Sequence, residues 1–298
     1  MKQGKLSGLL KACLCLILSL GFMVVLLVGF IMIAVISNNS FLLIVAGKEQ
    51  TGNALIKGLA MFLGGIIQNV PFILAPIILT LLVWKKKWSD LGYTSLKNDW
   101  KDFVMGILMG TFGITIALAF LLGSGSVEIT GFTGQYSKAI FMFFLGYIWV
   151  GFGEETLCRG GLMLALRETK SKALIIVAPA VVFGALHLGN NGVSVLAVIN
   201  LVGFGLFAGY CFYRSGNIWL PIGFHIAWNF VQGNVYGFHV SGTTNYSFVK
   251  LEVLKETIFT GGEFGPEGGL GVTIALIVVF VLVRVYYRNR SDSVFMEE

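Results

Sequence analysis

What this chain lacks most is charge. Only 12% of its 298 residues are charged and 56% are hydrophobic, with a mean hydropathy of +0.84. A soluble domain carries about a quarter charged residues, so composition excludes an ordinary water-soluble fold and indicates a membrane protein. The four cysteines, Cys13, Cys15, Cys158 and Cys211, form no C-x-x-C pair and lie within or at the ends of apolar segments. They read as small buried hydrophobes rather than as disulfide partners or a zinc cluster. There is no H-E-x-x-H, which excludes a zincin-type protease. There is also no G-x-S-x-G, and no serine is placed with the histidines to act as a nucleophile. The net charge of +6 does not indicate nucleic acid, because the basic residues cluster between apolar runs, as topology determinants do.

Long apolar runs are what the chain has in abundance. A span needs about 20 residues, and eight runs qualify: 9–36, 54–83, 103–123, 139–166, 173–190, 193–213, 217–236 and 269–287. They predict an all-α, polytopic membrane helix bundle of about eight transmembrane helices. It forms a single integral membrane domain over residues 1–298, with no linker or internal repeat. The first run, Leu9 to Ile36, exceeds the roughly 7–15 residues of a signal h-region and has no cleavage site after it, so it reads as a retained helix. With the amino terminus in the cytoplasm, only Lys48, Lys57, Lys138, Lys250 and Lys255 fall outside. The other basic residues, from Lys2 through the Lys85-Lys86-Lys87 run to Arg288 and Arg290, fall inside. That asymmetry favours eight spans with both termini cytoplasmic, in a multi-pass protein of the cell (plasma) membrane. Trp84, Trp88 and Trp100 suit a headgroup belt. Gly106-x-x-x-Gly110 and Gly205-x-x-x-Gly209 have close-packing spacing. The outside stretch 237–268 is expected to be an irregular loop, with a short helix through Leu251, Leu254 and Ile258 as the alternative.

Three polar pairs interrupt the apolar runs: Glu154-Glu155-x-x-x-Arg159, Phe183-x-x-x-His187 and His225-x-x-x-Asn229. Ionisable groups in a membrane are costly, so each is a functional-site candidate. Glu155 and Arg159, at i and i+4, can pair, which leaves Glu154 on another face without that partner. The midpoint between Glu154 and His187 falls in the charged turn from Arg167 to Lys172. Antiparallel helices joined there bring both groups to one depth, roughly 20 Å from the inner end at ~1.5 Å per residue. A carboxylate and an imidazole at equal depth can hold a water, and low dielectric makes a lone carboxylate the stronger base. Pro179 is expected to open the hydrogen-bond ladder and admit that water. His225 and Asn229 project to one side as donors to an oxyanion, with Pro221 freeing a carbonyl one turn earlier. Each motif also has a plainer reading: wetted acids at a span end, a satisfied core histidine, an interhelical polar contact. Taken jointly they point to a hydrolytic centre. Zinc (Zn) held by Glu154, His187 and His225 is chemically feasible, since two His and a carboxylate are a known ligand set. Cofactor-free activation of water by Glu154 needs less.

These ordered motifs resemble the CPBP (Abi, or CAAX protease) family, which includes the type II CAAX prenyl endopeptidases and prokaryotic proteins linked to bacteriocin processing or self-immunity. The resemblance covers residues 139–236. It implies that Glu154 and His187 activate the hydrolytic water, that Glu155 and Arg159 support them, and that His225 and Asn229 stabilise the oxyanion. The family is often labelled a metalloprotease family, whereas its better-understood members look glutamate-based. His239 has no counterpart in the motifs. The expected activity is intramembrane hydrolysis of a peptide bond. The expected partners are membrane lipid and a peptide precursor or membrane-protein substrate, with no nucleic acid. The alternative is a non-catalytic membrane scaffold in bacteriocin self-immunity or regulation. A transporter is disfavoured because no inverted repeat is present.

Overall fold

A computed structural model describes residues 2–134, 137–244 and 246–289, so Arg290 lies outside the described residues. The chain is mostly helical, as lipid demands, because each backbone polar group there must find its partner within its own segment. In order the helices are α1 (Lys2–Ser37), α2 (Ser40–Val45), α3 (Ala54–Ile78), α4 (Leu96–Gly123), α5 (Ser137–Glu155), α6 (Leu164–Leu166), α7 (Lys172–Ala185), α8 (Val195–Ser215), α9 (Trp219–Phe230) and α10 (Leu270–Tyr286). π-helical stretches extend α3 (Leu79–Val83), join α5 to α6 (Thr156–Met163) and follow α9 (Val231–Val235).

Among the described residues, five segments are long and apolar enough to cross a bilayer: Gly4–Ser37, Ala54–Val83, Trp88–Gly123, Ser137–Thr169 and Val195–Ser215. The expected fifth and eighth runs fall on shorter apolar helices, α7 and α10. The expected fifth run, 173–190, stops being helical at Ala185. His187 and Leu188 bond instead to the carbonyls of Gly184 and Ala185, three residues back, and tighten the chain into a turn. Asn190, Asn191 and Gly192 complete it, with Gly192 at a φ of 69° that suits glycine.

The stretch expected to be an irregular loop holds a strand instead. β2 (Val249–Val253) pairs antiparallel with β1 (Val127–Phe132), which follows α4. Leu251 sits in β2 opposite Ile129, so the helical spacing of Leu251, Leu254 and Ile258 was coincidental. Alternation of Val249, Leu251 and Val253 was the signal that mattered.

Helices α3 and α5 pack together, α4 packs on α9, α7 on α8, and α10 against α4 and α8. Three of the four paired glycines work as expected, whereas a Cβ at Gly209 would meet Ile176 at an ordinary 3.5 Å. A side chain at Gly106 or Gly110 would strike the α9 backbone at Leu220 or Phe224, and one at Gly205 would strike Ala180 of α7. The core at the centre is aromatic: Phe183, Phe204, Phe207, Phe224 and Trp228 are buried in one cluster. The three helices that carry the polar motifs meet at this cluster.

Candidate active site

Glu154 and Glu155 end α5 and are buried, and the backbone then widens into the π-helical stretch. Such widening is frequent at functional sites. Just ahead of them, Gly153 leaves room for Asn69 of α3, whose side chain occupies the space a Cβ would need. Glu155 and Arg159 form the expected pair, with Nε 3.1 Å from Oε2 and Nη1 3.2 Å from Oε1. Arg159 also donates to the Gly205 carbonyl of α8 at 3.0 Å, and its guanidinium lies 5.2 Å from the centre of the Phe183 ring. A single buried cation therefore ties α5, α7 and α8 together.

His187 follows α7 directly, and its Nδ1 lies 2.9 Å from the Phe183 carbonyl. A carbonyl only accepts, so Nδ1 carries the hydrogen and the imidazole caps the helix. That leaves Nε2 facing Glu154 Oε2, 4.0 Å away. His225, on α9, donates from Nδ1 to Glu155 Oε1 at 2.9 Å, and its Nε2 lies 3.9 Å from the same Oε2 of Glu154. The rings of Phe183 and Phe204 stack at 5.3 Å, and both meet the His225 ring edge-on. Among the described residues Glu154 Oε2, which is buried, has no hydrogen-bond partner, although two imidazole nitrogens face it.

A cavity of about 220 Å³ opens over these groups. Glu154, His187, His225 and Asn229 line it, whereas Glu155 and Arg159 stand behind it. The structure thus brings all six predicted residues into one constellation, with one regrouping. His225 was paired with Asn229 by spacing, but it is also bonded to Glu155, which spacing within a single helix could not reveal. Pro221 differs from expectation as well. It lies in the first turn of α9, where a missing N–H costs little, and the Asn217 carbonyl accepts from Ser215 Oγ at 3.1 Å. Pro179 is accommodated inside a continuous α7.

The fit of a metal can be judged from spacing. Two ligands of one tetrahedral zinc at ~2.0 Å lie ~3.3 Å apart, closer than either Glu154–histidine separation. Among the described residues, no group of three His, Cys, Asp or Glu side chains is disposed to hold a metal ion. As they stand, Glu154, His187 and His225 do not fit a zinc site.

The cavity wall also contains Asn190, Ser241 and Glu267, none of which the motifs indicated. Asn190 donates to the Ser241 carbonyl at 3.0 Å, and Ser241 donates to Glu267. The available clue was an acidic residue inside the glycine-rich run Gly261–Gly271, immediately before an apolar helix. His239 takes no part in the cavity, and its Nδ1 is bonded to the Glu263 carbonyl.

A helical membrane fold with a buried glutamate between two histidines defines a narrow class, and comparison with known families agrees with it. Residues 136–231 match the model of the Rce1-like family, described as type II CAAX prenyl endopeptidase Rce1-like. This Rce1-like segment spans about a third of the chain and contains all six motif residues. It supports the resemblance drawn from the motifs and favours a protease-type enzyme over a scaffold. No curated protein and no solved structure matches the chain.

Proposed function

We propose that the protein is an intramembrane endopeptidase that cleaves a peptide precursor or membrane-anchored protein with water activated by Glu154 and His187. The observation that carries this reading is the unpartnered, buried Oε2 of Glu154, facing imidazole nitrogens at 4.0 and 3.9 Å. Those gaps are too long for direct hydrogen bonds, and a water bonded at ~2.8 Å to each side fits them. Glu154 takes the water proton as the oxygen attacks the substrate carbonyl carbon, and His187 Nε2 orients that water. The oxyanion receives hydrogen bonds from the Asn229 amide and from His225 Nε2. Glu154 then returns its proton to the amine as the C–N bond breaks. Glu155 and Arg159 hold His225 in place. No metal is required.

The full topology belongs to the same proposal: a single domain of eight spans in the plasma membrane, both termini cytoplasmic, with α7, α9 and α10 as the shorter crossings. The basic turns at 85–87 and 167–172 then lie on the cytoplasmic side, and the turns carrying Asn190, Ser241 and Glu267 on the opposite side. The cavity accordingly receives substrate from outside the cytoplasm.

The deciding experiment compares peptide termini by mass spectrometry in cells carrying the wild type or Glu154→Gln at matched expression. Termini made only by the wild type support proteolysis and identify the substrate. A purified Glu154→Gln variant that still cleaves that substrate overturns the mechanism.

A further inference from the structure

Glu267 is the one charged group of the cavity wall that the proposed hydrolysis leaves without a task. It lies in the turn Pro266–Gly268, ahead of α10, and is 6% exposed. Its Oε2 accepts from the Ser241 N–H at 2.7 Å and from the Ser241 hydroxyl at 2.8 Å. Its main-chain carbonyl accepts from Asn200 Nδ2 at 2.8 Å, and the same amide holds the Gly269 carbonyl at 3.0 Å. Thr273 in turn fixes Asn200 Oδ1 at 2.7 Å. Side chain and backbone are both clamped, so the carboxylate is held rigidly at the cavity.

Among the described residues no lysine or arginine pairs with Glu267, and none lines the cavity. Burial pushes the Glu267 carboxyl up, opposed by the Ser241 bonds and by His187. A cation placed beside such a buried carboxyl favours its charged form, so binding of a cation and ionisation of Glu267 reinforce each other. The cavity thus holds two carboxylates, Glu154 and Glu267, among amides, hydroxyls and imidazoles.

We propose that Glu267 is a cation subsite, taking an ammonium or guanidinium group of the substrate. The source is a lysine or arginine side chain or a free amino terminus, which share that chemistry. The assignment rests on the peptidase reading and sharpens it: charge on the substrate, besides apolar length, selects what is cut. Glu267 is a specificity residue here and takes no proton in the reaction.

The test uses the full chain in lipid nanodiscs with matched peptides bearing lysine or norleucine, each with a free or acetylated amino end. Wild type should favour the cationic peptides by about tenfold or more in kcat/KM. Glu267→Gln should bring that ratio to about one, and Glu267→Lys should favour acidic peptides. Dependence on lysine points to a side-chain cation, and dependence on acetylation to the amino terminus. Cleavage by the wild type with no charge preference overturns the subsite. So does a preference that survives Glu267→Gln, because a purely structural residue would leave the ratio alone. A second arm does not depend on turnover. On Glu154→Gln protein, arginine amide should raise the melting temperature and N-acetylnorleucine amide, which carries no cation, should not, and adding Glu267→Gln should remove the difference. Absence of cleavage together with a charge-selective shift would count against the peptidase reading and leave the subsite standing. Equal shifts from both amides overturn the subsite even if Glu267→Gln fails to accumulate.

Discussion

Helix α1 and the α5–α6 segment are both apolar on average, yet the protein uses them in opposite ways. In the most apolar window of α1 only 6% is buried, and Ile17, Val25, Ile33 and Ile36 face outward. Its polar ties concentrate at one end, where Ser7 and Lys11 reach Glu168 in the turn after α6. The corresponding window of Ser137–Thr169 is 56% buried, and there the carboxylates and Arg159 are sequestered. Lipid is as apolar as leucine, so an apolar side chain gains little by moving from lipid into protein. A charge gains a great deal. In this chain, burial therefore follows polarity and small size more than greasiness.

That comparison can be broken most severely at the site. Glu154→Gln should lower the rate of peptide cleavage by about 10²–10⁴-fold, the range typical of a lost general base. Its level in the membrane should match the wild type, since among the described residues the buried Oε2 of Glu154 has no hydrogen-bond partner to lose. Rates and immunoblots on one preparation check both statements. Arg159→Ala should do the reverse, losing about 3–5 kcal/mol because buried Glu155 loses its ion-pair partner and keeps only the hydrogen bond from His225. Equal membrane levels of the Arg159→Ala and Glu154→Gln proteins would contradict the structural role of that pair.

Smaller effects sharpen the contrast. Gly106→Leu should force α4 away from α9 at a cost of about 1–3 kcal/mol, read as a lower melting temperature in detergent. Val25→Ala or Ile33→Ala, on the outward face of α1, should change stability by less than about 0.5 kcal/mol. Larger losses there would mean that α1 packs against something in the membrane. Treatment with a metal chelator should leave the cleavage rate unchanged. Loss of activity that returns on adding zinc would require Glu154, His187 and His225 to close up around an ion.

Much of the site was legible from spacing because helices are local objects. Residues at i and i+4 share a face, so the Glu155–Arg159 pair followed directly from the sequence. The depth match of Glu154 and His187 needed only a count to the turn between them. The β1–β2 pairing was not legible, since residues 127–132 and 249–253 are far apart in sequence and nothing local specifies their register. The end of α7 was missed because apolar residues continue past Ala185 while the hydrogen bonding tightens into a turn.

By itself the sequence determined that this is a helical membrane protein, which polar residues are too costly to be idle, and which neighbours pair within each helix. Those conclusions depend on composition and on a 3.6-residue period, and both can be read along one strand of text. Only the tertiary structure decided that His225 joins Glu155, that Glu154 keeps an unpartnered oxygen between two imidazoles, and that Glu267 enters the same cavity. Each of these is a contact between segments that helix periodicity leaves independent. Packing of small residues and the need to satisfy buried charge fix them in space.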